Sequence, residues 1–193
     1  GLDFIFPNLD AELPFYTQCK KEIEELGIRV FVPEPEQFKL RGKDRLPGVA
    51  EKVGIDIPAT EVVHTYAELM EGVEKLGLPL MVKGALYKAY RAYTSQQAVG
   101  HFNKITKEWG VPIILQQVVS GEELNVVGVG DGEGNMIGRV GIKKMWITEL
   151  GKIWTGVTIR HEKMLEAAEN FVRTYKWKGP FELECIVDGD TVY

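Results

Sequence analysis

The 193-residue chain is poor in the residues that announce metal, redox or membrane chemistry. Its 2 cysteines, Cys19 and Cys185, lie far apart, with neither zinc-ligand nor dithiol spacing. That excludes a cysteine-built zinc site and a CxxC redox motif, and reads as two reduced thiols in a cytoplasmic protein. The 3 histidines, His64, His101 and His161, are scattered; three unrelated histidines is the favoured reading, with a three-histidine metal site assembled in space as the alternative. No apolar run approaches the length of a membrane span and no leader pattern opens the chain, so no membrane partner is expected. Positive charge is in deficit, with 23 Lys and Arg against 28 Asp and Glu. The resulting net charge of -5 argues against nucleic acid as a partner. Internal repeats, low-complexity tracts and long linkers are also missing.

What remains is ordinary globular composition, with 45% hydrophobic and 26% charged residues. The length suits one or two domains. "LDFIF", a helix from about Ala11 to Gly27 and "IRVFV" suggest a parallel βαβ piece. "GKDRLPGVAEKVGI" suits a short helix with Pro47 in its first turn and Gly54 at its end. "TEVVHT", "LPLMVKG" and "PIILQQVV" read as strands. Between them, Thr65 with Glu68 and Thr94 with Gln97 have capping-box spacing and start helices that stop at Gly77 and Gly110. The stretch after Lys83, rich in Tyr, Lys and Arg, reads as a loop. "ELNVVGVG" and "MIGRVGIKKMWIT" flank the turn "DGEGN" as a hairpin. "KIWTGVTI" is a strand, a helix runs from about Glu162 to Tyr175, and "PFELECIV" is a strand before the turn "DGD". "TVY" reads as a strand stub without a partner. A core strand at the start and a stub at the end read as a piece of a longer protein.

Three places can carry chemistry. Lys83 ends an apolar strand, where its ammonium either snorkels to solvent or faces an anion such as phosphate. "QQVVSGEELN" offers backbone groups to a purine edge and, in Glu123, a carboxylate to ribose hydroxyls; a hairpin with solvated glutamates is the alternative. In "FELEC", strand alternation puts Glu182 and Glu184 on one face. Such a face is either the polar outside of a sheet or a Mg²⁺ site that shares its ion with substrate phosphates.

The order of these motifs resembles the ATP-grasp superfamily, nearest to the ATP-binding domain of the carbamoyl phosphate synthetase large subunit. The resemblance covers nearly the whole chain and implies an α+β fold of two lobes that grip ATP. Residues 1–36 correspond to the end of a preceding βαβ-built (pre-ATP-grasp) domain, 37–115 to the N-lobe and 116–193 to the C-lobe. It implies that Lys43 and Lys83 face the polyphosphate. Gln116 lies near the adenine amino group, Val119 meets the adenine edge through its backbone, and Gln117 and Val118 between them are nucleotide-binding candidates. Glu123 meets the ribose, and Glu184 is the first Mg²⁺ ligand. Lys143, Lys144 and Lys152 lie where family members place basic residues near the transferring phosphate. The pattern does not choose among the three; Lys144 and Lys152 are the catalytic candidates.

Two departures from the family pattern stand out. The loop after the strand lysine is "GALYKAYRAYTS", whose one glycine is Gly84, where the family has a glycine-rich loop. Lys88 and Arg91 are then expected to contact phosphate through side chains, on a lid that is mobile without nucleotide; alternatively the tyrosines pack against the other lobe. The family's E-x-N-P-R strand would follow Tyr193, so the chain by itself is expected to be incomplete for catalysis. The implied function is an ATP-dependent carboxylate–amine or carboxylate–thiol ligase acting through an acylphosphate. Its cofactors are ATP and Mg²⁺, its partners small-molecule carboxylates and amines, and a homodimer is an assembly open to it. A nucleotide-binding regulatory domain without turnover is the rival reading.

Overall fold

The structure is a computed structural model that describes residues 1–9, 11–85, 87–147 and 153–193. In chain order the first elements are β1 (Phe4–Ile5), α1 (Leu13–Gln18), α2 (Lys20–Glu25), β2 (Arg29–Val30), α3 (Pro35–Phe38) and α4 (Leu46–Val53). Next come β3 (Thr60–Val63), α5 (Tyr66–Leu76), β4 (Leu80–Gly84), β5 (Ala89–Ala92), α6 (Ser95–Trp109) and β6 (Ile113–Gln117). The last are β7 (Glu122–Asp131), β8 (Met136–Ile147), β9 (Ile153–Ile159), α7 (Glu162–Tyr175), β10 (Lys178–Asp188) and β11 (Thr191–Val192). Packing groups the chain differently from the three-segment reading of the sequence. One compact unit holds residues 1–40, 52–54 and 122–192; the other holds 41–51, 55–121 and Tyr193.

In the second unit the described strands form an antiparallel sheet in the order β3-β6-β4-β5. Alternation along β4 turns Leu80 and Val82 to one face, where they meet Leu69 and Val73 of α5 and Phe102 and Ile105 of α6 in a common core. Both helices start as their caps predict. Thr65 Oγ1 accepts from the Glu68 N–H and Thr94 Oγ1 from the Gln97 N–H, each at 3.2 Å. The reciprocal bonds reach one residue further out than in a strict capping box: Glu68 accepts from the His64 N–H at 2.6 Å and Gln97 from the Tyr93 N–H at 2.7 Å. Gly77 (φ 73°) and Gly110 (φ 78°) end the helices in backbone conformations that side chains disfavour.

The segment after Lys83, expected to be a loop, contains strand β5, which pairs antiparallel with β4. Its register opposes Tyr90 to Val82 and so turns the ring toward α6. There Tyr90 stacks on His101 at 4.8 Å, with Lys104 Nζ 4.8 Å from its ring centre, and Tyr87 packs on Trp109 at 5.1 Å. Ala92 is fully buried in the same core. Two of the tyrosines thus anchor a hairpin to its own unit's helix. Gly84 makes the hairpin possible: its N–H donates to the Lys88 carbonyl at 3.1 Å, and a Cβ there would collide with the Tyr87 carbonyl oxygen.

The first unit opens on the expected parallel pair β1–β2. The single helix expected before β2 is two short ones, because Cys19 leaves helical geometry (φ -92°, ψ 11°) between them. Gln37 Nε2 donates to the Tyr175 carbonyl at 3.0 Å and the Lys176 carbonyl at 2.6 Å, which ties the start of the chain to the end of α7. The described strands of the larger sheet are ordered β11-β10-β7-β8-β9, all antiparallel. Leu124, Val126 and Cys185 face Met164 and Ala168 of α7. The β7–β8 turn is closed by Asp131, whose carboxylate accepts from the Glu133 N–H (2.7 Å), the Asn135 N–H (3.0 Å) and Asn135 Nδ2 (2.7 Å). The terminal residues are not a partnerless stub: β11 forms a hairpin with β10. Among the described residues no helix is long and apolar enough to cross a membrane.

The substitution Gly84→Ala forces the Tyr87 carbonyl aside and opens the β4–β5 hairpin. We expect a loss of about 1–3 kcal/mol in urea unfolding, with earlier amide exchange in β5 than in β6. A wild-type midpoint would show that the hairpin does not depend on this close approach.

Candidate functional site

In the smaller sheet, Lys83 belongs to the face turned away from α5 and α6, because its neighbours Val82 and Gly84 face the helices. Register places Arg91, Met81, Gln116 and Thr60 in one row across that face, next to the row of Ala89, Lys83 and Ile114. A directed hydrogen-bond chain runs through it. Lys83 Nζ donates to Gln116 Oε1 at 2.6 Å, Gln116 Nε2 donates to Thr60 Oγ1 at 3.0 Å, and Thr60 Oγ1 donates to the Pro58 carbonyl at 2.6 Å. The chain fixes which way the Gln116 amide points and holds a half-buried ammonium at one end. The Lys43 N–H donates to the Ala85 carbonyl at 3.1 Å, which brings the Lys43 backbone to the end of β4, two residues past Lys83.

The other candidates of this unit separate. Gln117, opposite Leu80, alternates away from Gln116, and its N–H is bonded to the Ala59 carbonyl at 2.8 Å. Val118 and Val119 are half-buried in an irregular stretch after β6, outside the strand expected to include them. Arg91 is exposed on the same face as Lys83. Lys88 is drawn off toward α6, 3.8 Å from the Glu108 carboxylate, and its positive φ of 69° serves the hairpin turn. The two cations are placed differently: the strand period puts Arg91 on the Lys83 face and leaves Lys88 in the turn.

In the larger sheet the face opposite α7 carries Glu123 and Asn125 of β7, Glu182 and Glu184 of β10, and Lys144 of β8. Lys144 Nζ donates to Glu184 Oε1 at 2.6 Å, with the lysine side chain 10% exposed and the glutamate 69%. Lys143 lies in the row of Leu124, toward α7, and pairs with Glu122 at 2.6 Å. Lys144 is thus the lysine that shares the Glu184 face, a distinction that one residue of strand period decides. Lys152 lies outside the described residues. Two groups escaped the sequence reading. Thr60 orients Gln116 from a strand 56 residues away, with no local signal. Asn125 donates from Nδ2 to Glu182 and is fully buried; an asparagine inside the apolar run "ELNVVGVG" was the available clue.

No family model matches the chain. A formate-dependent phosphoribosylglycinamide formyltransferase from Methanocaldococcus jannaschii is 30% identical over 128 residues, covering 64% of this chain and 32% of that protein. The biotin carboxylase–βγ-ATP complex from Campylobacter jejuni superposes with a TM-score of 0.79 at 15% identity, over 99% of this chain and 47% of that one. The D-alanine–D-alanine ligase of Bacillus anthracis gives 0.75 at 16% identity, over 100% of this chain and 67% of that one. The chain carries the ATP-grasp fold. It spans about a third of the curated relative and about half of the carboxylase.

The side chains present fit the groups that ATP-grasp proteins hold. Lys83 and Lys43 are cations in one neighbourhood of the smaller sheet, suited to phosphate oxygens. Among the described residues no three His, Cys, Asp or Glu side chains converge as a metal cage. Mg²⁺ does not need one, since it takes one or two carboxylates together with substrate phosphates and water. Glu184, Glu182 and the buried amide oxygen of Asn125 are hard oxygen donors on one face, the donor type it prefers.

Cys185, next to Glu184, faces the core. Burial first, and the Glu184 charge second, push its thiol up to about 11 from 9.0. The folded protein keeps this thiol neutral where the unfolded chain ionises. The stability it contributes is complete below pH 9.0 and is lost as pH rises through about 11. Urea midpoints should fall across that window, less steeply in Cys185→Ala. Iodoacetamide should label half-exposed Cys19 in the native protein and Cys185 only after unfolding. Equal native labelling rates would contradict the burial.

Proposed function

We propose that the chain is the nucleotide-binding part of an ATP-dependent ligase that joins a carboxylate to an amine or thiol, like the ATP-binding domain of carbamoyl phosphate synthetase. The observation that carries this reading is the Lys83–Gln116–Thr60 chain on the helix-free face of the smaller sheet. It gives a cation and an oriented amide to one ligand, as a phosphate and a purine edge require. The likeness to a carboxylase crystallised with βγ-ATP, and to a D-alanine–D-alanine ligase, supports the same reading.

In this reading Lys83 and Lys43 neutralise polyphosphate oxygens, with Arg91 adding positive charge on the same face. Gln116 and the backbone from Gln117 through Val119 receive the base, and Glu123 accepts from the ribose hydroxyls. Glu184 holds Mg²⁺, which when bound supplies positive charge to the phosphates. Lys144 stands beside Glu184 as a cation for the transferring phosphoryl group, and Lys152 is proposed for the same role. A substrate carboxylate oxygen bonds to the γ-phosphorus, the bond from that phosphorus to ADP breaks, and an acylphosphate forms. The amine or thiol then bonds to the acyl carbon, phosphate leaves with the bonding pair, and the nucleophile's proton passes to solvent. Bringing two anions together is the obstacle, so the residues act by position and charge.

Calorimetry with Mg·ATP tests the reading. Lys83→Ala and Glu123→Ala should each weaken binding at least tenfold, about 1.4 kcal/mol. Unchanged affinity in both would remove the assignment. In the full-length protein, ATP binding without ADP release across a panel of carboxylates and amines would favour a nucleotide-binding domain without turnover.

A further inference from the structure

Asn125 is the least accounted-for polar residue of the larger sheet. It is fully buried in the middle of β7. Its Nδ2 donates to the Glu182 carboxylate, which fixes the amide's orientation, since the reverse would set oxygen against oxygen. Its Oδ1 is therefore committed elsewhere, and among the described residues it has no partner. A buried oxygen left without a donor costs about 1–3 kcal/mol. Such groups in folded proteins mark a water, an ion or a functional role.

Register shows what surrounds it. Asn125 lies opposite Glu184 on one side and Ile142 on the other. Lys144 of β8 reaches across the same strand to bond Glu184 of β10. Among the described residues, the charged side chains around Asn125 on this face are the carboxylates of Glu123, Glu182 and Glu184 and the ammonium of Lys144. Glu123, Glu182 and Glu184 outweigh Lys144 by two negative charges, and every acceptor is a hard oxygen. A neutral amide oxygen next to a carboxylate is a common donor pair for hard divalent cations. A carboxylate that orients such a donor from behind is equally common.

We infer that Asn125 Oδ1 is an oxygen ligand of the divalent cation held by Glu184, and that this cation takes the place of the Lys144 ammonium on Glu184. The inference rests on Glu184 as a metal residue in the proposed function. Glu182 holds the Asn125 amide with its oxygen turned away from Glu182. Without a divalent cation, Lys144 is the counter-ion of Glu184. Once displaced, its ammonium is available to an anion. Cation binding and the release of a lysine for phosphate are thereby one event at one carboxylate.

Mn²⁺ alone, titrated into the 193-residue chain without nucleotide and followed by the electron paramagnetic resonance of the free ion, tests this. Asn125→Leu, close in volume but without the oxygen, should weaken Mn²⁺ binding roughly tenfold or more. Asn125→Asp keeps the oxygen and should bind as tightly as wild type or tighter. A purely structural role would make both variants weak, because aspartate also loses the bond to Glu182. Lys144→Met removes the competing ammonium and should tighten Mn²⁺ binding. Wild-type affinity in Asn125→Leu together with lost binding in Glu184→Gln would overturn the role of Asn125 and leave Glu184 as the metal residue. Unaltered binding in Glu184→Gln, or no Mn²⁺ binding by wild type, would overturn both. Unchanged or weaker binding in Lys144→Met would overturn the displacement.

Discussion

An ionic side chain is desolvated least on the sheet face that the helices leave open, and this constraint shapes both units. In β4, Leu80 and Val82 are committed to the core over α5 and α6, so Lys83 must emerge on the opposite side. In β7 and β10, Leu124 and Cys185 are committed to α7, so Glu123, Asn125 and Glu184 emerge together. Antiparallel register then aligns the emergent residues across strands: Gln116 beside Met81, and Glu184 beside Asn125. The polar faces are the complement of the cores.

A second consequence follows from partial burial. Half-buried cations need acceptors, and the sheet faces supply them from neighbouring strands. Lys83 is bonded to Gln116, and Lys144 to Glu184. The groups proposed to meet phosphate or metal are therefore already engaged with protein partners. A ligand must exchange with those partners, and its net gain is the difference between two sets of charge-assisted bonds. The same exchange keeps the cations oriented before a ligand arrives, so little side-chain freedom is left to lose.

Local signals survived into the structure wherever the stabilising contact is local. The Thr65 and Thr94 caps, the Gly77 and Gly110 stops, the Asp131 turn and the bounds of α7 all depend on residues within a few positions of each other. The segment after Lys83 misled because its composition, rich in Tyr and Lys, looked like a solvent loop. Its period of two is satisfied only when Tyr90 finds His101 and Lys104 on α6. Thr60 was silent for the same reason, and Asn125 showed only as a polar residue inside an apolar run. Their roles exist only through Gln116 and Glu182, on strands that are neighbours in space and distant in sequence.

By itself, the sequence determined the α+β pattern, the order of motifs that marks the ATP-grasp fold, and the residue types able to meet phosphate and Mg²⁺. These follow from alternation, capping and side-chain chemistry, each written within a short window. Only the tertiary structure decided which of the neighbouring candidates share a face. It put Arg91 rather than Lys88 beside Lys83, Lys144 rather than Lys143 beside Glu184, and Gln116 rather than Gln117 on the open side. The reason is the two-residue period of a strand: adjacent residues of the same type point to opposite faces, and cross-strand register alone selects which one meets its partner.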